Sequence, residues 1–268
     1  MKIVSLCKTH SCNIFLEAAI EGIYRYVDYI VFVNSNINWL GQHKKNECVE
    51  TINRWKAAND VDNKIMCIEN NASTQFDQCN FGYKFIRDSL KADWIHIFDT
   101  DEIWDEYMFK RLIDYAKYPQ YNAICAHMYT YLKSIYYVVT PPEYCKPTVL
   151  LRPVYDDIPG TRGNILKPKL VPDDLFFHHY TYVRETEEEV FQKIRTTLVG
   201  DKEDVPQCQL VDFDKWKKNK WDKILTAKNL HTTKYYEKSW AKIKKIGKNE
   251  LPQTLRNKKI IERFEGDL

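Results

Sequence analysis

The chain has 268 residues, 44% hydrophobic and 14% aromatic, with 40 Lys/Arg against 37 Asp/Glu and a formal net charge of +3. That is enough apolar material for one large domain, or a core domain with an appendage, and it excludes a globally disordered chain. No run approaches the roughly 20 apolar residues of a membrane span, and the apolar stretch within residues 1–6 is too short for a signal peptide.

The charge is unevenly spread. Residues 215–268 hold 16 Lys/Arg and 6 Asp/Glu, while residues 1–214 hold 24 and 31, so an acidic body carries a basic tail. A basic tail suits an anionic partner such as nucleic acid or a membrane surface, or is a solvated helical face. The eight cysteines are scattered with no Cys-x-x-Cys pair, and several sit in apolar segments. This predicts reduced thiols and a cytoplasmic protein, not a disulfide framework.

In chain order, residues 2–7 read as a buried strand. Residues 13–26 read as a helix, since Phe15, Leu16, Ala19, Ile20, Ile23 and Tyr24 recur at helical spacing. The run Tyr29-Ile30-Val31-Phe32-Val33 is apolar throughout, as in parallel strands covered on both faces, and Asn34-Ser35-Asn36 ends it. A helix over 51–58, a strand over 64–68, a helix over 76–90 and a strand over 94–98 follow. Strand and helix alternate, which predicts βαβ units and a mostly parallel sheet. Residues 105–117 read as a helix with Asp105 as N-cap, and residues 122–132 and 148–152 as further strands. Seven of the ten prolines fall between residues 137 and 174, with Gly160 and Gly163, marking a long irregular segment around a site. A last strand spans 175–183. Thr186-Glu187-Glu188-Glu189 is a capping box that opens a helix ended near Gly200. From residue 212 the tail has a helical pattern anchored by Trp216, Trp221, Ile224, Leu225, Trp240, Ile243 and Ile246. The expected organisation is a catalytic domain over 1–211 and a basic helical extension over 212–268.

The most pointed chemistry lies at Asp99-Thr100-Asp101-Glu102, directly after the buried run ending at Phe98. Ligands of an open α/β sheet collect at the carboxyl ends of its strands. Two carboxylates one residue apart at that edge suit Mg²⁺ or Mn²⁺, and the metal would stabilise charge on a departing diphosphate. A second element, Phe176-Phe177-His178-His179-Tyr180-Thr181-Tyr182, offers an imidazole. Alternation turns His178 and His179 to opposite faces, so one of them points at the metal, and His179 is the choice. The Gly-rich loops of Rossmann dehydrogenases and P-loop ATPases are absent.

The order of these motifs resembles the GT-A glycosyltransferases, in particular the family 2-like group that includes small viral and bacterial enzymes. Residues 4–9, 13–17 and 27–35 resemble that group's first βαβ unit. Asn80-Phe81-Gly82 resembles the segment leading to its metal motif, Phe98-Asp99-Thr100-Asp101-Glu102 the Asp-x-Asp signature, and His178 to Arg184, followed by a helix holding Lys193, its downstream histidine element. The resemblance spans roughly residues 1–200. It implies an α/β GT-A fold and Mn²⁺ or Mg²⁺ dependence. It also implies a nucleoside-diphosphate sugar donor, UDP-sugar first among them, with base and ribose near Lys8, Thr9, Asn34 and Asp99. Asp101 becomes the principal metal ligand, with Asp99 and His179 beside it. One departure is that Asn34-Ser35 stand where the family often has an acidic residue for the base.

An inverting transfer needs a base for the acceptor hydroxyl. Asp156, Asp157, Asp173 and Asp174 are the nearby acids in sequence, and Asp157 is the choice. Arg152, Arg162, Lys167 and Lys169 are candidates for steadying the diphosphate. Lys215, Lys217, Lys218, Lys220 and Lys223 interleave with Trp216 and Trp221, which suits a phosphate backbone with stacked bases. The acceptor is thus a glycan or small molecule, or a hydroxymethylated base in viral DNA. A non-catalytic nucleotide-sugar or nucleic-acid binding protein is the alternative of another class.

Overall fold

The computed structural model describes residues 1–9, 14–38, 43, 46–142, 146–160, 162, 168–186, 188–190, 193, 242–256 and 258–267. Two sheets organise them. The larger has seven strands in the order β10-β6-β9-β4-β1-β2-β3. Strands β1 (Ile3–Thr9), β2 (Tyr29–Asn34), β3 (Ile65–Glu69) and β4 (Trp94–Phe98) run parallel, with β1 central to the four. Strand β9 (Thr148–Leu151) runs antiparallel to both β4 and β6 (Ala123–Cys125), and β10 (Lys169–Leu170) lies parallel to β6.

The apolar runs have a direct cause. Ile3, Cys7, Ile30, Phe32, Trp94 and Phe98 face one core, under α1 (Leu16–Ile23), α2 (Glu47–Asn59) and α4 (Glu106–Tyr115). Val4, Leu6, Val31, Val33, Ile95 and Ile97 face another, under α3 (Gln75–Phe85). Strands covered on both sides bury every residue and lose polar alternation. Helix α3 lies so close that a Cβ at Gly82 would overlap the side chains of Leu6 and Val33. Asn80-Phe81-Gly82 lies inside α3. Asn46 caps α2 through Cys48 N at 3.1 Å, and Thr74 caps α3 through Asp77 N at 3.0 Å.

The second sheet has the order β12-β8-β7-β11-β5. It contains β5 (Glu102–Ile103), β7 (His127–Leu132), β8 (Tyr137–Thr140), β11 (Phe176–Tyr182) and β12 (Lys242–Lys245). The stretch expected as one strand over 122–132 breaks at Ala126, so β6 and β7 serve different sheets. Lys242–Lys245 is extended, not helical: Ile243 pairs with Val139 in an antiparallel ladder. The rest of the tail from residue 212 to 241 lies outside the described residues. Beyond β12, Ile246, Leu251, Leu255, Ile260 and Ile261 are buried in the core shared with α1, and α5 (Gln253–Arg256) packs beside that helix. Lys258 reaches Glu21 at 2.7 Å, and Arg263 pairs with Glu185.

Among the described residues, Cys7, Cys48, Cys67, Cys79 and Cys125 are free thiols, and no helix is long and apolar enough to cross a membrane.

Candidate active site

The acidic cluster sits where the two sheets meet. Strand β4 ends at Phe98, the chain turns through Asp99-Thr100-Asp101, and β5 begins at Glu102. The turn is closed by Glu102 N donating to Asp99 O at 3.0 Å and by Asp99 N donating to a Glu102 carboxylate oxygen at 3.1 Å. Strand β5 pairs antiparallel with β11, in a register that sets Glu102 opposite His179 and Ile103 opposite His178. Tyr180 N donates to Asp101 O at 2.9 Å. That ladder brings residues about eighty positions apart to one place.

The two histidines part as alternating residues do. His179 is buried, and its Nε2 stands 3.6 Å from Asp101 Oδ1. His178 turns the other way, with Nδ1 2.8 Å from Tyr131 Oη and Nε2 3.2 Å from Asp105 Oδ2. Asp105 occupies the N-cap position of α4 but makes no side-chain cap bond. Its carboxyl is held below the usual range by His178, against the effect of burial.

Cations surround the cluster. Asp99 gives one oxygen to Lys8 and the other to Arg162 Nη2 at 2.9 Å. Arg162 also pairs with Glu102 and donates to Ile97 O at 3.1 Å. Arg184 Nη2 donates to Asp101 Oδ2 at 2.7 Å. Burial pushes the Asp99 carboxyl up, but Lys8 and Arg162 outweigh it and hold the group low. Asp101 is likewise held well below the carboxylate range: Lys193, Arg184 and His179 outweigh burial. Both remain ionised because opposite charge reaches them inside the protein.

Asp101 Oδ1 is shut from solvent and takes no hydrogen bond. A carboxylate oxygen facing an imidazole nitrogen is a donor pair that Mn²⁺ accepts. Among the described residues, no three or more His, Cys, Asp or Glu side chains gather closely enough to ligate a metal ion together. Asp101 and His179 are the two residues here that could hold a divalent cation, whose other ligands would have to come from outside this pair. Asp99 stands apart from that pair, because both its oxygens already face cations.

The expected base and ribose residues share one edge. Thr9 Oγ1 donates to Asn34 Oδ1 at 2.5 Å, and Asn46 Nδ2 donates to Thr9 O and Oγ1 at 3.1 and 3.2 Å. These groups lie at the carboxyl ends of β1 and β2, beside Lys8.

Other candidates are occupied elsewhere. Asp157 is exposed and pairs with Asn80 at 2.7 Å and Lys84 at 2.6 Å, both on α3, and not with the acidic cluster. Asp156 lies 3.5 Å from Arg87, and Asp174 pairs with Arg111 and with Tyr115 at 2.7 Å. Asp173 and Lys169 are exposed. Arg152 donates to Tyr121 O at 3.0 Å and lies 4.3 Å over the Trp94 ring, so it braces the sheet. Lys167 and residues 215–223 lie outside the described residues. Sequence reasoning did not foresee Lys8 and Arg162 as partners of Asp99, or Arg184 as the partner of Asp101. Nothing in their spacing announces those pairs; only the positive charge of residues near the site was visible.

No family model and no curated protein matches the chain. Among solved structures it is similar to S. aureus TarS, at 9% identity and a TM-score of 0.47, over 87% of this chain and 46% of that one. The chain thus spans about half the length of that protein. The 1–349 portion of TarS in complex with UDP matches at 8% identity and a TM-score of 0.47, over 80% of this chain and 69% of that one. The same portion in complex with UDP-GlcNAc matches at 10% identity and a TM-score of 0.46, over 80% and 70%.

Proposed function

We propose that this chain is a glycosyltransferase that moves a sugar from a nucleoside-diphosphate sugar to an acceptor hydroxyl, with Asp101 and His179 holding a divalent cation, Mn²⁺ or Mg²⁺. The observation that carries the reading is the buried Asp101 Oδ1, 3.6 Å from His179 Nε2, at the carboxyl edge of a parallel sheet. The motif order that resembles the GT-A family supports it.

The residues divide the work. Thr9 and Asn34 offer hydroxyl and amide groups to base and ribose. Asp99 fixes Lys8 at the mouth of β1. Arg184 and Lys193 bring positive charge to the Asp101 side, where a diphosphate would lie. The cation, when bound, acts as a Lewis acid that stabilises charge on the departing diphosphate. A strand edge of this kind excludes water on its protein side, where fixed charges act most strongly. The paired, exposed Asp157 has a pinning role on α3, and the acceptor's base is assigned to no residue. The basic composition of residues 215–223 favours an anionic acceptor, and hydroxymethylated DNA is the second reading.

The full chain, incubated with a panel of nucleotide sugars and Mn²⁺ or Mg²⁺, should hydrolyse at least one donor and melt at a higher temperature with it. Asp101→Ala should abolish both effects. No response to any donor with either metal overturns the proposal. Tight DNA binding that is unchanged in Asp101→Ala, with no donor hydrolysed, supports a binding module instead. Duplex binding that weakens with salt, and weakens further in K217E/K218E, identifies the DNA acceptor.

A further inference from the structure

We infer that Arg162 is a positioning residue for the transfer, one that shapes the turn presenting Asp101, and not a ligand of the donor's diphosphate. The inference rests on the glycosyltransferase reading above.

The guanidinium is committed inside the protein. Its side chain is 12% exposed. Nη1 donates to Ile97 O, the last-but-one residue of β4, at 3.1 Å. Nη2 meets Asp99 at 2.9 Å and also Glu102, whose side chain is 1% exposed. Glu102 in turn accepts from Asp99 N at 3.1 Å. The result is a closed ring, from Arg162 to Asp99, through its main chain to Glu102, and back to Arg162. The ring spans the two carboxylates that flank Thr100 and Asp101. Within it, the Asp101 side chain is the one directed to the opposite partners, Arg184 and His179.

Three acceptors in a fan around one planar group is geometry that a fork of N–H donors satisfies and a single ammonium does not. Without that group, Asp99 keeps Lys8 as its ion-pair partner, while Glu102 becomes a buried carboxylate that has lost its paired guanidinium. Ile97 O, Asp99 and Glu102 then lose the donors that hold them around one point, and with Glu102 still charged the two anions also repel across the turn. The turn would open and carry Asp101 Oδ1 away from His179. A guanidinium already shared between two carboxylates and a carbonyl has little left to offer a phosphate. Arg162 thus acts through Asp99, Glu102 and the turn.

The test uses the full chain in four forms: wild type, R162K, R162Q, and the neutral pair R162Q/E102Q, which removes both members of the buried ion pair. Each is titrated with UDP, ADP, GDP and CDP in the presence of Mn²⁺, and with the monophosphate of whichever base binds. Affinity and the melting temperature without ligand are both measured. The inference expects R162K and R162Q/E102Q to melt within a few degrees of wild type, yet to bind the diphosphate at least tenfold more weakly. It expects R162Q to lose monophosphate affinity by a similar factor, because the displaced turn carries Asp99 with it. Wild-type affinity in R162K or in the neutral pair overturns it and leaves Arg162 a stabilising residue only. Loss confined to the diphosphate, with the monophosphate unchanged, also overturns it and makes Arg162 a direct phosphate ligand. No binding of any nucleotide by the wild type overturns the glycosyltransferase reading itself, and the inference with it.

Discussion

A carboxylate tolerates burial only where positive charge follows it inside, and each acid of the cluster meets that condition differently. Asp99 faces Lys8 and Arg162, Glu102 faces Arg162, and Asp101 faces Arg184 with one oxygen and His179 with the other. His96, on β4 just before them, shows the converse. It is buried, its Nδ1 lies 3.0 Å from Ser5 Oγ, and its ring stacks on Phe98. Burial, helped by Arg162, lowers it from the ordinary 6.5 to about 3. In the unfolded chain the imidazole takes a proton below about pH 6.5, whereas the folded chain refuses one until about pH 3. The stability His96 preserves is full above that window and drains as pH falls through it. At about 1.4 kcal/mol per pH unit, the loss between pH 7 and pH 5 is about 2 kcal/mol. Urea unfolding of wild type and His96→Leu at the two pH values checks this: the variant should lose about 2 kcal/mol less on acidification. Equal losses would show that His96 titrates normally. Asp99 and Asp101 were legible as a pair from their place after an apolar run. Their partners were not, because an ion pair between positions 99 and 162 leaves no periodic trace.

At the scale of elements, the first four strands and the helices between them were readable because two-sided burial writes itself as unbroken apolar sequence. The elements that failed are those whose neighbours decide them. Residues 122–132 carry one strand-like pattern, but Ala126 hands the chain from one sheet to the other. Strand β8 was hidden beside Pro141 and Pro142, and β12 carries a tail pattern that reads as helix until Val139 is there to pair with Ile243. Asp105 has the sequence of an N-cap yet spends its carboxylate on His178, since a buried imidazole is the stronger demand. The close approach of α3 gives a sharp expectation. Gly82→Val would force its side chain into Leu6 and Val33 and lift the helix from β1 and β2. Overpacking of that kind costs about 1–3 kcal/mol, read as a lowered urea midpoint with the slope unchanged. A neutral result would mean that α3 stands further from the sheet.

At the scale of the molecule, the acidic body and the basic tail are joined more closely than their charges suggest. Leu255 is fully buried in the core that α1 shares, and Lys258 and Arg263 tie the same stretch to Glu21 and Glu185. Leu255→Ala should therefore cost about 2–5 kcal/mol of global stability, as a core truncation does, and lower a single cooperative melting transition. Loss of a small separate transition alone would mean that the tail folds independently. The account of function depends on what the turn between β4 and β5, where one sheet passes into the other, holds. A crystal of the full chain soaked with Mn²⁺ and UDP, examined by anomalous scattering from the metal, tests it most directly. The account predicts one manganese peak between Asp101 Oδ1 and His179 Nε2, with the diphosphate on its open side and Asp99 still paired to Lys8 and Arg162. UDP bound with no manganese at that place, or manganese held by other residues, would contradict it.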